Sequence, residues 1–119
     1  MPSRPEHEAR AGRNEALCRH LHVTAAGTFL DWEATSLFYA GVHLVEAFLA
    51  TVSLHPAGHQ ERQESVGTYL KPAHGAYRQL EELSARARYN AHVEITPANV
   101  ADALMWFQQV KSGVSAESC

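Results

Sequence analysis

The sequence predicts an all-α fold, an up-and-down bundle of four or five helices in a single domain. Three observations predict it. Apolar residues recur at three- and four-residue spacing through most of the chain, the period of one helix face. No run alternates apolar and polar residues as a half-buried strand does. Pro56, Pro72 and Pro97 fall between the periodic segments, where helices break or begin. With 119 residues, 45% of them hydrophobic, the chain has enough apolar side chain for one packed core without a metal or disulfide staple.

The first helix is expected over Pro5 to His22, with a short stripe of Ala9, Ala16, Leu17 and Leu21. Thr24–Thr28, holding Gly27, reads as a connector. The second helix is the clearest. Asp31 suits its N-cap, and Leu37, Gly41, Leu44 and Phe48 step by four, three and four. Phe38, Val45, Leu49 and Val52 fill the neighbouring rows and widen the apolar face. Gly41 and Ala40 leave room for another helix to approach closely. The segment stops at Leu54-His55-Pro56-Ala57-Gly58.

His59–Leu70 begins polar and suits a short helix. Pro72 opens the next, whose core stripe is Ala73, Tyr77, Leu80, Leu83 and Ala87, with Asn90 as its stop. Thr96-Pro97-Ala98-Asn99 caps the last helix, which turns Val100, Leu104 or Ala103, Phe107 and Val110 inward. Ser112–Cys119 is small and polar and is expected to fray, leaving a core over residues 5–111.

Ten Lys plus Arg against thirteen Asp plus Glu give a net charge of −3. A global basic excess, the footprint of many nucleic-acid binders, is therefore lacking, and any such binding must use a local patch. Cys18 and Cys119 alone make neither a disulfide framework nor a closed zinc site. The charged start of the chain has no signal-peptide core, and the uncharged stretch Leu37–Val45 is too short to span a bilayer. The expectation is a cytoplasmic protein without membrane attachment.

Eight histidines stand out: His7, His20, His22, His43, His55, His59, His74 and His92. Imidazole gains and loses a proton near neutral pH. His43 and Glu46 are three apart on the second helix, but one such pair is not a metal site, and Pro56 separates His55 from His59. No metal or cofactor is expected. His43 has two readings: a core histidine satisfied by a neighbour, or a proton donor or phosphate ligand facing a cleft.

The densest polar constellation is Arg86-Ala87-Arg88-Tyr89-Asn90-Ala91-His92, in a locally basic stretch with Lys71 and Arg78. A guanidinium fork binds phosphate, and a nearby histidine can move protons to or from a ribose hydroxyl. Together they are the minimum for metal-free RNA cleavage. On a continuous helix, Arg88 and His92 would share a face, while Arg86 and His92 would diverge unless the helix breaks near Asn90. The opposing reading makes both arginines solvated charges that suit a helix C-terminus. His59 and Arg62 repeat the theme at a helix start, diluted by Glu61 and Glu64.

The run Asp31-Trp32…Leu37-Phe38-Tyr39-Ala40-Gly41-Val42-His43-Leu44-Val45-Glu46-Ala47-Phe48-Leu49-Ala50 resembles the second helix of HEPN-domain proteins. The likeness continues through His55-Pro56…His59…Arg62 and Tyr77…Leu80…Ser84…Ala87-Arg88-Tyr89, over roughly residues 14–110. The resemblance is to small stand-alone HEPN-like proteins and implies a helical bundle, commonly a homodimer. It implies one of two activities. The first is a metal-independent endoribonuclease with Arg86, Arg88 and His92 as catalytic groups, shared across a dimer, and His43, His59, Arg62 and Tyr77 around the cleft. The second is an inactive module that binds a nucleotide or a partner, such as a nucleotidyltransferase in a toxin–antitoxin pair. The five residues between Arg86 and His92 fit the family motif, whereas Ala87 stands where a polar residue is usual, and Arg88 has only three residues before His92.

Overall fold

A computed structural model describes residues 1–118. Five helices follow in order: α1 (Arg4–Thr24), α2 (Leu30–Thr51), α3 (His59–Tyr69), α4 (Lys71–Tyr89) and α5 (Pro97–Ser118). The described residues contain no strand, so the all-α expectation holds.

Local chemistry explains most boundaries. Ser3 caps α1 by accepting from the Glu6 amide, while the Glu6 carboxylate accepts from the Ser3 amide, a reciprocal capping box. Thr96 and Asn99 exchange the same pair of bonds at the start of α5. At α2 the expected cap is corrected. Phe29 occupies the N-cap and Asp31 lies in the first turn, where its negative charge still meets the positive end of the helix dipole. Only Leu70, fully buried, separates α3 from α4. The small residues after Val110 continue as helix to Ser118 instead of fraying; Cys119 lies outside the described residues. Gly113 explains part of this: a Cβ there would sit 2.9 Å from that of Ala73, so its bare backbone lets α5 lie close against α4.

α2 is the central helix and packs against α1, α4 and α5; α3 rests chiefly on α4. Leu37, Phe38, Val45 and Leu49 of α2 meet Tyr77, Leu80 and Leu83 of α4 and Ala103, Phe107 and Val110 of α5 in one core. Of the two candidates on α5, Ala103 is buried and Leu104 half-exposed. By length and composition α2 could cross a membrane; 67% of its apolar window is instead buried inside the bundle.

The face of α1 is also corrected. His7, Ala11 and Cys18 are buried, whereas Leu17 is 43% exposed and Ala9 and Ala16 lie outside. The inward face is rotated from the expected stripe because it carries a histidine that hydropathy counts as polar.

Candidate functional site

Four helices bring a polar cluster together on one flank of α2. His43 and Glu46, three apart, share a helix face. α1 contributes His7, α3 contributes His59 and Arg62 from its first turn, and α4 contributes Tyr77 and Glu81, four apart. Arg62 is buried, and its Nε and one terminal nitrogen donate to Glu46 Oε1 at 2.9 and 2.7 Å. This side-on pairing commits the Nε edge of the guanidinium to Glu46 and leaves no such fork for an outside anion. Glu46 Oε2 lies 3.4 Å from His7 Nδ1, and the Nδ1 atoms of His7 and His43 are 3.0 Å apart. On the other side, Arg62 is 3.0 Å from His59 Nδ1, which is 3.6 Å from Glu81 Oε1. Gln63 donates to the other Glu81 oxygen.

The environment tunes these groups. Burial, only partly offset by the charge of Glu46, lowers the His43 pKa below the usual imidazole value, so its lone pair is available at neutral pH. Burial alone would lower Arg62, but Tyr77 and Glu46 together raise it. Burial pushes the Tyr77 phenol well above its usual range. The Tyr77 hydroxyl is buried and makes no hydrogen bond among the described residues, although it faces the Arg62 charge.

A second constellation forms at the C-terminal end of α4. Arg88 Nε donates to the Ser84 hydroxyl at 3.1 Å, and its terminal nitrogen donates to the hydroxyls of Tyr39 at 2.8 Å and Tyr89 at 3.1 Å. Its guanidinium carbon lies 4.8 Å from the Tyr89 ring centre, 5.3 Å from that of Tyr39 and 5.7 Å from that of Phe38, within cation–π range. Tyr89 is 77% exposed. Arg86 and His92 are exposed as well. α4 ends at Tyr89, and the Asn90 side chain accepts from the His92 amide at 3.1 Å. His92 thus sits on the loop and not on the helical face it would share with Arg88. No hydrogen bond joins its ring to Arg86 or Arg88 among the described residues.

The seven residues expected in one pocket therefore divide in two. His43, Arg62 and Tyr77 gather around carboxylates with His59 at the exposed edge of the cluster; Arg86, Arg88 and His92 lie at the end of α4. Phe38 bridges the groups, with His59 5.6 Å and Tyr77 6.0 Å from its ring centre. Sequence reasoning missed His7, the role of Glu46 as the hub of the cluster, and Glu81. Only the three-residue spacing of His43 and Glu46 hinted at it.

A separate apolar cavity of about 770 Å³ opens between α1, α2 and the start of α5. Fully buried Glu33 lines it, one oxygen 3.2 Å from His22 Nδ1 and the other without a partner among the described residues. Cys18 lies alongside, its thiol pushed up to about 11 by burial and by the charge of Glu33.

Comparison of the chain with protein-family models, with curated proteins and with solved structures finds no match.

Proposed function

We propose that the chain is a HEPN-like module that binds single-stranded RNA or nucleotides at the C-terminal end of α4 without cleaving them. The observation that carries this reading is the exposed Tyr89 ring backed by the Arg88 guanidinium at 4.8 Å. An aromatic ring held flat by a cation offers a face on which a base can stack. Arg86 and His92 flank it, both exposed, with Arg86 free to meet a phosphate. Arg88 is already committed to Ser84, Tyr39 and Tyr89, which suits a positioning role beneath the platform. Cleavage would need His92 and a free arginine on one scissile phosphate, and among the described residues no hydrogen bond joins the His92 ring to Arg86 or Arg88.

Fluorescence anisotropy with a labelled single-stranded RNA tests the reading. Tyr89→Ala is expected to weaken binding about tenfold or more, from lost stacking. Arg86→Ala should reduce the salt dependence by about one phosphate contact. No binding at low salt, or binding untouched by Tyr89→Ala, overturns the proposal. An incubation with chelator checks the endoribonuclease alternative: cleavage abolished by His92→Ala would move the chain to that class. Light scattering reports the assembly, since the homodimer that the resemblance implies has twice the 13.1 kDa chain mass.

A further inference from the structure

The three side chains on the His7 side of the cluster raise a hydrogen-bonding problem. His7 Nδ1 is 3.0 Å from His43 Nδ1 and 3.4 Å from Glu46 Oε2. A neutral imidazole nitrogen carries at most one proton. If His7 Nδ1 donates to Glu46, it has no proton left for His43; if it donates to His43, the Glu46 oxygen faces it without a donor. If His43 Nδ1 carries the proton and donates to His7 instead, Glu46 Oε2 again faces His7 without a donor, so no tautomer of the two neutral rings pairs all three groups with one another. A cation satisfies all three at once.

We propose that His7, His43 and Glu46 form a site for a divalent transition-metal ion. One donor atom from each residue lies within 4.8 Å of the other two. An ion with bonds of about 2.0–2.1 Å in tetrahedral geometry places neighbouring ligands about 3.3 Å apart, close to the 3.0 and 3.4 Å seen here. Two imidazoles and one carboxylate are a donor set for zinc, cobalt, nickel or ferrous iron, and not for magnesium or calcium, which take oxygen.

The surroundings have the parts that metal centres use. Arg62 holds Glu46 by Oε1 alone, which orients the carboxylate and leaves Oε2 for the ion, as outer-sphere partners do. The donors come from α1 and α2, so the ion would cross-link two helices. A cavity of about 250 Å³ lined by His7, Glu46, Leu54 and His55 adjoins them and leaves space for water or a further ligand at an open coordination position. The positive charge of Arg62 disfavours a purely electrostatic cation site and selects an ion held by imidazole bonding.

The test uses the full chain, stripped with a chelator and titrated with cobalt(II), followed by visible absorption and calorimetry. One equivalent is expected to bind with a visible d–d band, and zinc(II) should displace it. His43→Asn and Glu46→Gln should each abolish the band and the stoichiometric heat, with helicity checked by circular dichroism. Arg62→Lys, altering a positioning residue, should weaken binding about 10–100-fold. His20→Ala, on an exposed part of α1, should bind as the parent does. Should His43→Asn unfold the chain, Glu46→Gln and His7→Gln decide. No band and no heat, or a band that survives all the ligand substitutions, overturns the proposal, the latter marking adventitious binding to surface histidines.

Discussion

Arg62 is a buried charge that depends on a carboxylate partner. It is 8% exposed, and among the described residues only Glu46 forms an ion pair with it. Removing one partner of such a pair leaves the other charge stranded in a poorly solvated place, which costs about 3–5 kcal/mol, although the pair itself can be close to neutral in net worth. Arg62→Met is therefore expected to destabilise the fold by about 3 kcal/mol, read as a lower midpoint in urea. The double substitution Arg62→Met, Glu46→Leu should recover much of that loss, because it removes both charges. A loss below about 0.5 kcal/mol in the single variant would mean that water reaches the pair and screens it. The same pair explains why Arg62 offers no free fork to a phosphate, although its chain position beside His59 suggests one.

The helices differ in how they stop. The C-terminus of α2 closes with two bonds: the Leu54 amide donates to Leu49 O at 2.9 Å and the Ser53 amide to Ala50 O at 3.2 Å. This is the Schellman pattern, which needs a residue in the left-handed region just past the cap. Ser53 fills that place with φ of 60°, a conformation that strains a side-chain-bearing residue and costs glycine nothing. Ser53→Gly should therefore raise stability by about 0.5–1 kcal/mol, seen as a higher thermal midpoint with helicity unchanged. A lower midpoint would show that the serine contributes more than its strain costs. This stop is invisible to a search for glycine or proline, which places the break at Leu54–Gly58. α1 hides its packing face for a related reason: His7 is buried through polar bonding, not through hydrophobicity.

Across the whole molecule, anchoring is uneven. α2 contributes the most buried residues and touches three other long helices. α3 buries only Arg62 and Val66 and packs chiefly on α4, so its position depends on the polar cluster as much as on apolar contact. Elements with few buried apolar contacts open locally at low free-energy cost. Native-state hydrogen exchange should show slowest exchange in the middle of α2 and much faster exchange in α3. If the metal proposal holds, zinc should slow exchange in α1 near His7 and in α2 near His43 and Glu46. Protection in α3 equal to that in α2 would show that the ion pair and Leu70 lock it as firmly as a core helix.

What the chain alone determined is the all-α class, the order of the segments and most of their inward faces. These follow from the identity of residues three and four apart, a relation confined to one turn. Phe38, Val45, Tyr77, Leu80, Phe107 and Val110 are legible for that reason. The polar residues are another matter. A histidine or glutamate on a helix reads the same whether it meets solvent, a counter-charge or an ion, because its partner lies far away in sequence. Only the packing of α1, α3 and α4 around α2 joined His7 to His43, closed Glu46 on Arg62 and set Glu81 against His59. The break of α4 at Tyr89 likewise parted His92 from Arg88. Helical period is set by local geometry, while charge pairing is decided by which surfaces burial brings together.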